Sequence, residues 1–82
     1  MDDKAALLSQ LSRLHTTDMG AERIRKNLGL DCNDTVGYCC GIIEDGRSAV
    51  YRNGKNYYCE LENIRLTVNA GSYTIITAHI IK

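Results

Sequence analysis

Residues 48–61 read SAVYRNGKNYYCEL, and the Asn53-Gly54 pair in their middle decides how the carboxyl-terminal half of the chain is read. Asn-Gly supplies the positive φ values of a type I′ turn, so the runs on either side are expected to pair as a hairpin. Beyond it Tyr57, Cys59 and Leu61 alternate with Tyr58 and Glu60, the period-two pattern of a strand with two different faces. Two more strands are expected on the same grounds. IRLTVN (64–69) follows a turn near Glu62-Asn63, and SYTIITAHIIK (72–82) follows Ala70-Gly71.

Upstream the period is helical. DDKAALLSQLSRL (2–14) places Leu7, Leu11 and Leu14 on one face, with acids first and Arg13 last, as the helix dipole prefers. HTTDMGAERIRKNLGL (15–30) offers Thr16 or Thr17 as N-cap, a buried stripe of Ala21, Ile24 and Leu28, and Gly29 as a left-handed stop. NDTVGYCCGIIED (33–45) repeats Val36, Cys39, Cys40 and Ile43 at helical spacing after an Asn33 or Asp34 cap, with Gly37 and Gly41 weakening it. The expectation is an α+β fold: two or three N-terminal helices, in a helical part at about 2–45, packed on one face of a four-stranded antiparallel meander sheet at about 47–82. With 82 residues, all of it forms a single α+β domain, 1–82.

Composition narrows the function classes. There are five Tyr but no Phe and no Trp, so core volume comes from Leu, Ile and Val, and a base-stacking platform is poorly supplied. Formal net charge is zero, against strong nonspecific binding to nucleic acid. The charge is uneven, however. Residues 31–46 hold four acids and no base, whereas residues 47–82 hold five bases and two acids. An acidic amino terminus and the lack of an apolar run near 18 residues point to a cytoplasmic protein without a membrane anchor. With no secretory signal, Cys32, Cys39, Cys40 and Cys59 are expected as reduced thiols. Their spacing gives no zinc motif, so neither a metal nor a cofactor is expected.

Alternation assigns the sheet faces. Tyr57, Cys59, Leu61, Ile64, Leu66 and Val68 are expected inward, with Tyr58, Glu60, Arg65, Thr67 and Asn69 outward. In the last strand Thr74, Ile76, Ala78 and Ile80 make the more apolar parity and are placed inward, leaving Tyr73, Ile75, Thr77, His79 and Ile81 outward. A polar patch of Arg65, Thr67, Asn69, Tyr73, Thr77 and His79 then forms on an open face.

Through LHTTDMGAERIRKNLGL and RNGKNYYCELENIRLTVNAGSYTIITAHIIK the chain resembles a bacterial family known only as domain of unknown function 3781, over roughly residues 14–82. That resemblance implies a pattern and no chemistry. A more distant similarity is to the barnase, EndoU, colicin and RelE-like class of small ribonuclease toxins, in which helices precede a four-stranded antiparallel sheet. It implies that His15 and Arg23 correspond to a His and Arg on the leading helical segment, and Thr77 and His79 to a polar pair on the terminal strand. The zero net charge departs from that pattern.

Two function classes follow. One is a binding module that uses the open sheet face, with Arg65, Thr67, Asn69 and Tyr73 as binding residues, or that uses the edge strand SAVYR, toward RNA, a protein partner or a second copy as a homodimer. The other is a metal-independent ribonuclease. His15 and His79 would exchange protons with the 2′-hydroxyl and the leaving oxygen, while Arg23 and Thr77 complete the catalytic set. The simpler alternative leaves His15 as a turn cap and His79 as a satisfied sheet residue. Convergence of the two histidines separates these readings.

Overall fold

The computed structural model describes residues 2–31 and 33–81; Cys32 and the terminal Lys82, named above, lie outside the described residues. Helices α1 (Asp3–Leu8), α2 (Asp18–Leu28) and α3 (Thr35–Glu44) precede strands β1 (Ala49–Asn53), β2 (Asn56–Leu61), β3 (Ile64–Asn69) and β4 (Ile75–Ile80). The four strands form one antiparallel sheet in the order β1-β2-β3-β4. The α+β meander expected from the sequence is the observed fold.

Capping explains the helix limits. The Asp2 carboxylate accepts the Lys4 N–H to open α1, Thr17 Oγ1 accepts from Gly20 N–H to open α2, and Asp34 accepts from Gly37 N–H to open α3. Gly29, at φ +67°, ends α2, and the Leu30 N–H reaches back to the Arg25 carbonyl. The first helix is shorter than the leucine spacing suggests. It stops at Leu8 and resumes as a 3₁₀ turn over Leu11–Arg13, because Ser9 Oγ donates to the Ala6 carbonyl, a local bond that competes with the helix ladder. Leu7 and Leu14 are buried all the same, and Leu11 packs on the core.

The core lies between the helices and one sheet face. Leu7, Ile24, Cys39 and Ile43 from the helical half meet Cys59, Leu66, Val68 and Ala78 from the sheet, all with essentially no solvent exposure. Helix α1 packs on β1, α2 along β4 and α3 against β2.

Two local readings change in the structure. The first hairpin pairs Asn53 with Asn56, so its two-residue loop is Gly54-Lys55 and not Asn53-Gly54. Gly54 at φ +65° is in the first central position, the type II′ arrangement. This register sets Tyr51 opposite Tyr58, where the rings stack at 5.5 Å. In β4 the inward set expected as Thr74, Ile76, Ala78 and Ile80 holds for Ala78, which is buried, but not for Ile76, and Ile75 is buried instead. A bulge separates the Thr67–Thr77 pair from the Val68–Ile75 pair, and Ile76 is the extra residue. The bulge resets the alternation, so Ile75 is buried (1% exposed) and Ile76 is 43% exposed; Ile80 keeps the parity of Ala78 but, as the last residue of β4, is 47% exposed. Ile75→Ala is therefore expected to destabilise by about 2–5 kcal/mol and Ile76→Ala by less than about 1 kcal/mol, measured by urea unfolding. The reverse order would contradict the bulge.

Candidate functional site: the open sheet face

Register alone arranges the outer face in rows. One row runs Ala49, Glu60, Arg65, His79 across the four strands, and the next runs Tyr51, Tyr58, Thr67, Thr77. Beyond them Asn53 pairs with Asn56, and Asn56 with Asn69. Among the described residues no helix covers these rows. The side chains cover one another, and Thr67, between Tyr58 and Thr77, is buried although it faces away from the core.

The centre of the face is a hydrogen-bonded charge pair. Arg65 Nε donates to Glu60 Oε2 at 3.1 Å, and the Tyr51 hydroxyl donates to the same oxygen at 2.8 Å. The Tyr51 hydrogen bond, and after it Arg65, holds the Glu60 carboxyl below its ordinary value, against a smaller opposing effect of desolvation. The same bond pushes the Tyr51 phenol up. Both bonds end on Oε2, so Glu60 Oε1 and the terminal NH₂ groups of Arg65 make no bond to the described residues.

The sheet edges are partly occupied. On the β1 edge, Asp3 Oδ2 accepts the Arg52 N–H at 2.9 Å, and Lys4 Nζ donates to the carbonyls of Asp45 and Ser48 at 2.6 and 2.9 Å. On the β4 edge, His15 forms a parallel bridge with Thr74: its N–H donates to the Tyr73 carbonyl and its own carbonyl accepts from Ile75 N–H. Thr16 Oγ1 donates to the Ile75 carbonyl and Asn27 Nδ2 to the Ala78 carbonyl. Two residues of α1 thus engage the SAVYR edge, at the Arg52 N–H and at the Ser48 carbonyl.

The expected site residues separate into groups. Arg65, Thr67, Thr77 and His79 share the open face, with Thr77 opposite Thr67 and His79 opposite Arg65. His79 is half-buried, and its ring makes no hydrogen bond to the described residues. Asn69 closes the turn after β3, where its Oδ1 accepts from the N–H groups of Gly71 and Ser72. Tyr73 does not project outward. It precedes β4 at φ +58°, packs against the core, and lies under the Arg13 guanidinium, 4.7 Å from the ring centroid. A bulky residue in that backbone region carries strain of about 1–3 kcal/mol, offset here by those contacts.

His15 lies at the start of β4. The carbonyl of Arg13, 2.9 Å from Nδ1, can only accept, so Nδ1 carries a proton and Nε2 faces the Thr74 hydroxyl at 3.0 Å. From Thr74 to His79 is five residues of strand, roughly 15 Å at about 3.3 Å per residue. The structure does not bring the two histidines to one phosphate. Arg23 stands apart on α2, lining an open depression of about 440 Å³ with Met19, Glu22, Lys26 and Asn27.

Tyr51, Tyr58 and Glu60 complete the face and are not among the expected site residues. The Asn-Gly signal was the one that could have located Tyr51, but it places the turn one residue early. Of the cysteines, Cys39 and Cys59 are buried and Cys40 is half-buried, and burial pushes the Cys40 and Cys59 thiols up. Among the described residues no three His, Cys, Asp or Glu side chains gather as a metal site, and no helix is long and apolar enough to cross a membrane.

With this geometry in hand, comparison with known families gives one match. Residues 8–79, from the end of α1 to His79, match the model of a family described as Protein of unknown function (DUF3781). The chain belongs to the DUF3781 family. The match spans the cysteine-containing α3 as well as the hairpin, and so takes in every row of the open face. No curated protein and no solved structure matched.

Because the folded-state pKa of Glu60 is depressed, the stability it contributes is present above the ordinary Glu range and is lost as pH falls through the depressed value. Tyr51→Phe removes the leading cause. The expected result is a rise in the Glu60 pKa toward its ordinary value, read from the side-chain carboxyl ¹³C shift, with a shallower acid limb of unfolding. An unchanged Glu60 titration would contradict the hydrogen bond.

Proposed function

We propose that this DUF3781 chain is a noncatalytic binding module whose outer sheet face docks a polypeptide. The observation that carries the reading is the contrast between the two kinds of sheet surface. Both edges already carry hydrogen bonds from the helical half, from Asp3 on one side and from His15, Thr16 and Asn27 on the other, while the face of Tyr51, Tyr58, Arg65, Thr77 and His79 has no covering element among the described residues. Strand addition is thereby disfavoured and face docking favoured.

The chemistry of the face supports a polypeptide over RNA. Tyr and Arg are the residue types on which protein interfaces concentrate binding energy, and a stacked tyrosine pair presents a large rigid surface at low entropic cost. Its one arginine is compensated by Glu60, which leaves little of the counterion-release free energy that phosphate binding needs. The roughly 15 Å of strand from Thr74, which the His15 ring touches, to His79 speaks against paired proton transfer by the two histidines.

A photo-crosslinking amino acid at position 51, compared with the same residue at the exposed Met19 on α2, tests this in producing cells. The expected outcome is a discrete protein adduct from position 51 that is absent from position 19 and is lost when Arg65→Glu is added. Adducts to RNA alone, or a protein adduct that tolerates Arg65→Glu, would overturn the reading.

A further inference from the structure

We infer that the polypeptide docked on the outer face is a second copy of this chain, held in a weak two-fold face-to-face dimer; this rests on the open face being a polypeptide-binding surface. The pattern of the rows is the evidence. Their β1/β2 half carries Ala49, Glu60, Tyr51 and Tyr58, and their β3/β4 half carries His79, Arg65, Thr77 and Thr67. Each half is the complement of the other in both bulk and charge.

Consider a two-fold axis parallel to the strands, between the stacked sheets and midway between β2 and β3. It lays β2 of each copy over β3 of the other with the rows in step. Glu60 then faces the second copy's Arg65, Tyr58 faces its Thr67, Tyr51 faces its Thr77, and the small Ala49 faces its His79. In these rows each tyrosine meets a threonine and the histidine meets an alanine, and the Glu60–Arg65 contact occurs twice, once on each side of the axis, as an isologous interface requires. Stacked sheets keep their strands within about 30° of each other, which preserves this row-on-row contact near the axis. A two-fold across the strands instead sets Glu60 over Tyr58 and Arg65 over Thr67, leaving the charges unpaired.

The groups that would meet have bonding capacity to spare. Glu60 Oε1 and the terminal NH₂ groups of Arg65 make no bond to described residues, because the intrachain pair uses Oε2 and Nε. An interchain pair can form without breaking the intrachain one. Formal neutrality of the chain also removes net repulsion between copies. Area limits the strength of the contact. A four-stranded sheet with strands of five or six residues offers a flat footprint of roughly 400 Å², about half of the ~800 Å² per partner typical of stable complexes. The dimer is accordingly reversible and concentration-dependent.

Charge reversal separates this contact from any other use of the face. Glu60→Lys sets an introduced lysine against Arg65 of a second copy, and Arg65→Glu sets an introduced glutamate against Glu60. Each variant alone is therefore expected to weaken self-association by about tenfold or more in sedimentation velocity. In an equimolar mixture of the two, the mixed dimer sets the introduced lysine against the introduced glutamate at one contact and Arg65 against Glu60 at the other, so both contacts pair opposite charges, and the mixture is expected to associate within about threefold of the wild type. The double variant, Glu60→Lys with Arg65→Glu, keeps both intrachain and interchain pairing and guards against a fold defect in the singles; it is expected to dimerise as well. Single variants that associate as wild type, or a mixture that fails while the double variant dimerises, would overturn this geometry. A wild-type chain that stays monomeric at every concentration, yet still gives the position-51 adduct with another protein, would overturn self-association and leave the docking face intact.

Discussion

The antiparallel ladder is the constraint on which the rest of the molecule depends. Once Val50 is opposite Cys59, Tyr57 opposite Val68 and Leu66 opposite Ala78, those residues share the face that the helices bury. Their neighbours are then forced to the other face. A slip of one residue between β2 and β3 would bury Glu60 or Arg65 in the core and expose Cys59 or Leu66, so the apolar face holds the polar one in place. The outer rows are in this sense a by-product of core packing, and their order follows from the register without any covering element to position them.

The amino-terminal third contributes more than core volume. Asp3 and Lys4 seal the β1 side, and the segment from His15 to Asn27 seals the β4 side, so the row of unpaired backbone groups that makes a sheet edge adhesive is blunted at both ends. His15 is central to this. Its backbone makes both hydrogen bonds of the bridge to β4, and its ring joins the Arg13 carbonyl to the Thr74 hydroxyl. That gives the histidine a complete structural role at a distance from His79.

Much of the fold was legible in the residues, because caps and periodicity are local. Thr17 and Gly29 delimit α2 where the cap rules put them, and the β2 and β3 faces alternate as written. What was not legible depends on contacts between strands. The Asn-Gly pair offers two adjacent two-residue loops, and the choice between them is made by Tyr51 stacking on Tyr58 and reaching Glu60, which no local pattern encodes. In β4 both parities contain isoleucines, so polarity could not reveal the bulge at Ile76 that carries Ile75 into the core. The same limit governed the site. Arg65, Thr67, Thr77 and His79 follow from alternation, whereas Tyr73 was read as a strand residue and turns instead onto the core beneath Arg13.

A soluble paramagnetic relaxation agent, applied to dilute and then to concentrated protein, tests the central claim most directly. In dilute solution the side-chain signals of Tyr51, Thr77 and His79 are expected to relax strongly and those of Ile75 and Tyr57 weakly. On concentration the outer-face signals should lose that enhancement together while Met19 keeps it. Protection at Met19 and not at Tyr51, or an outer face shielded even in dilute solution, would contradict an open docking face on this sheet.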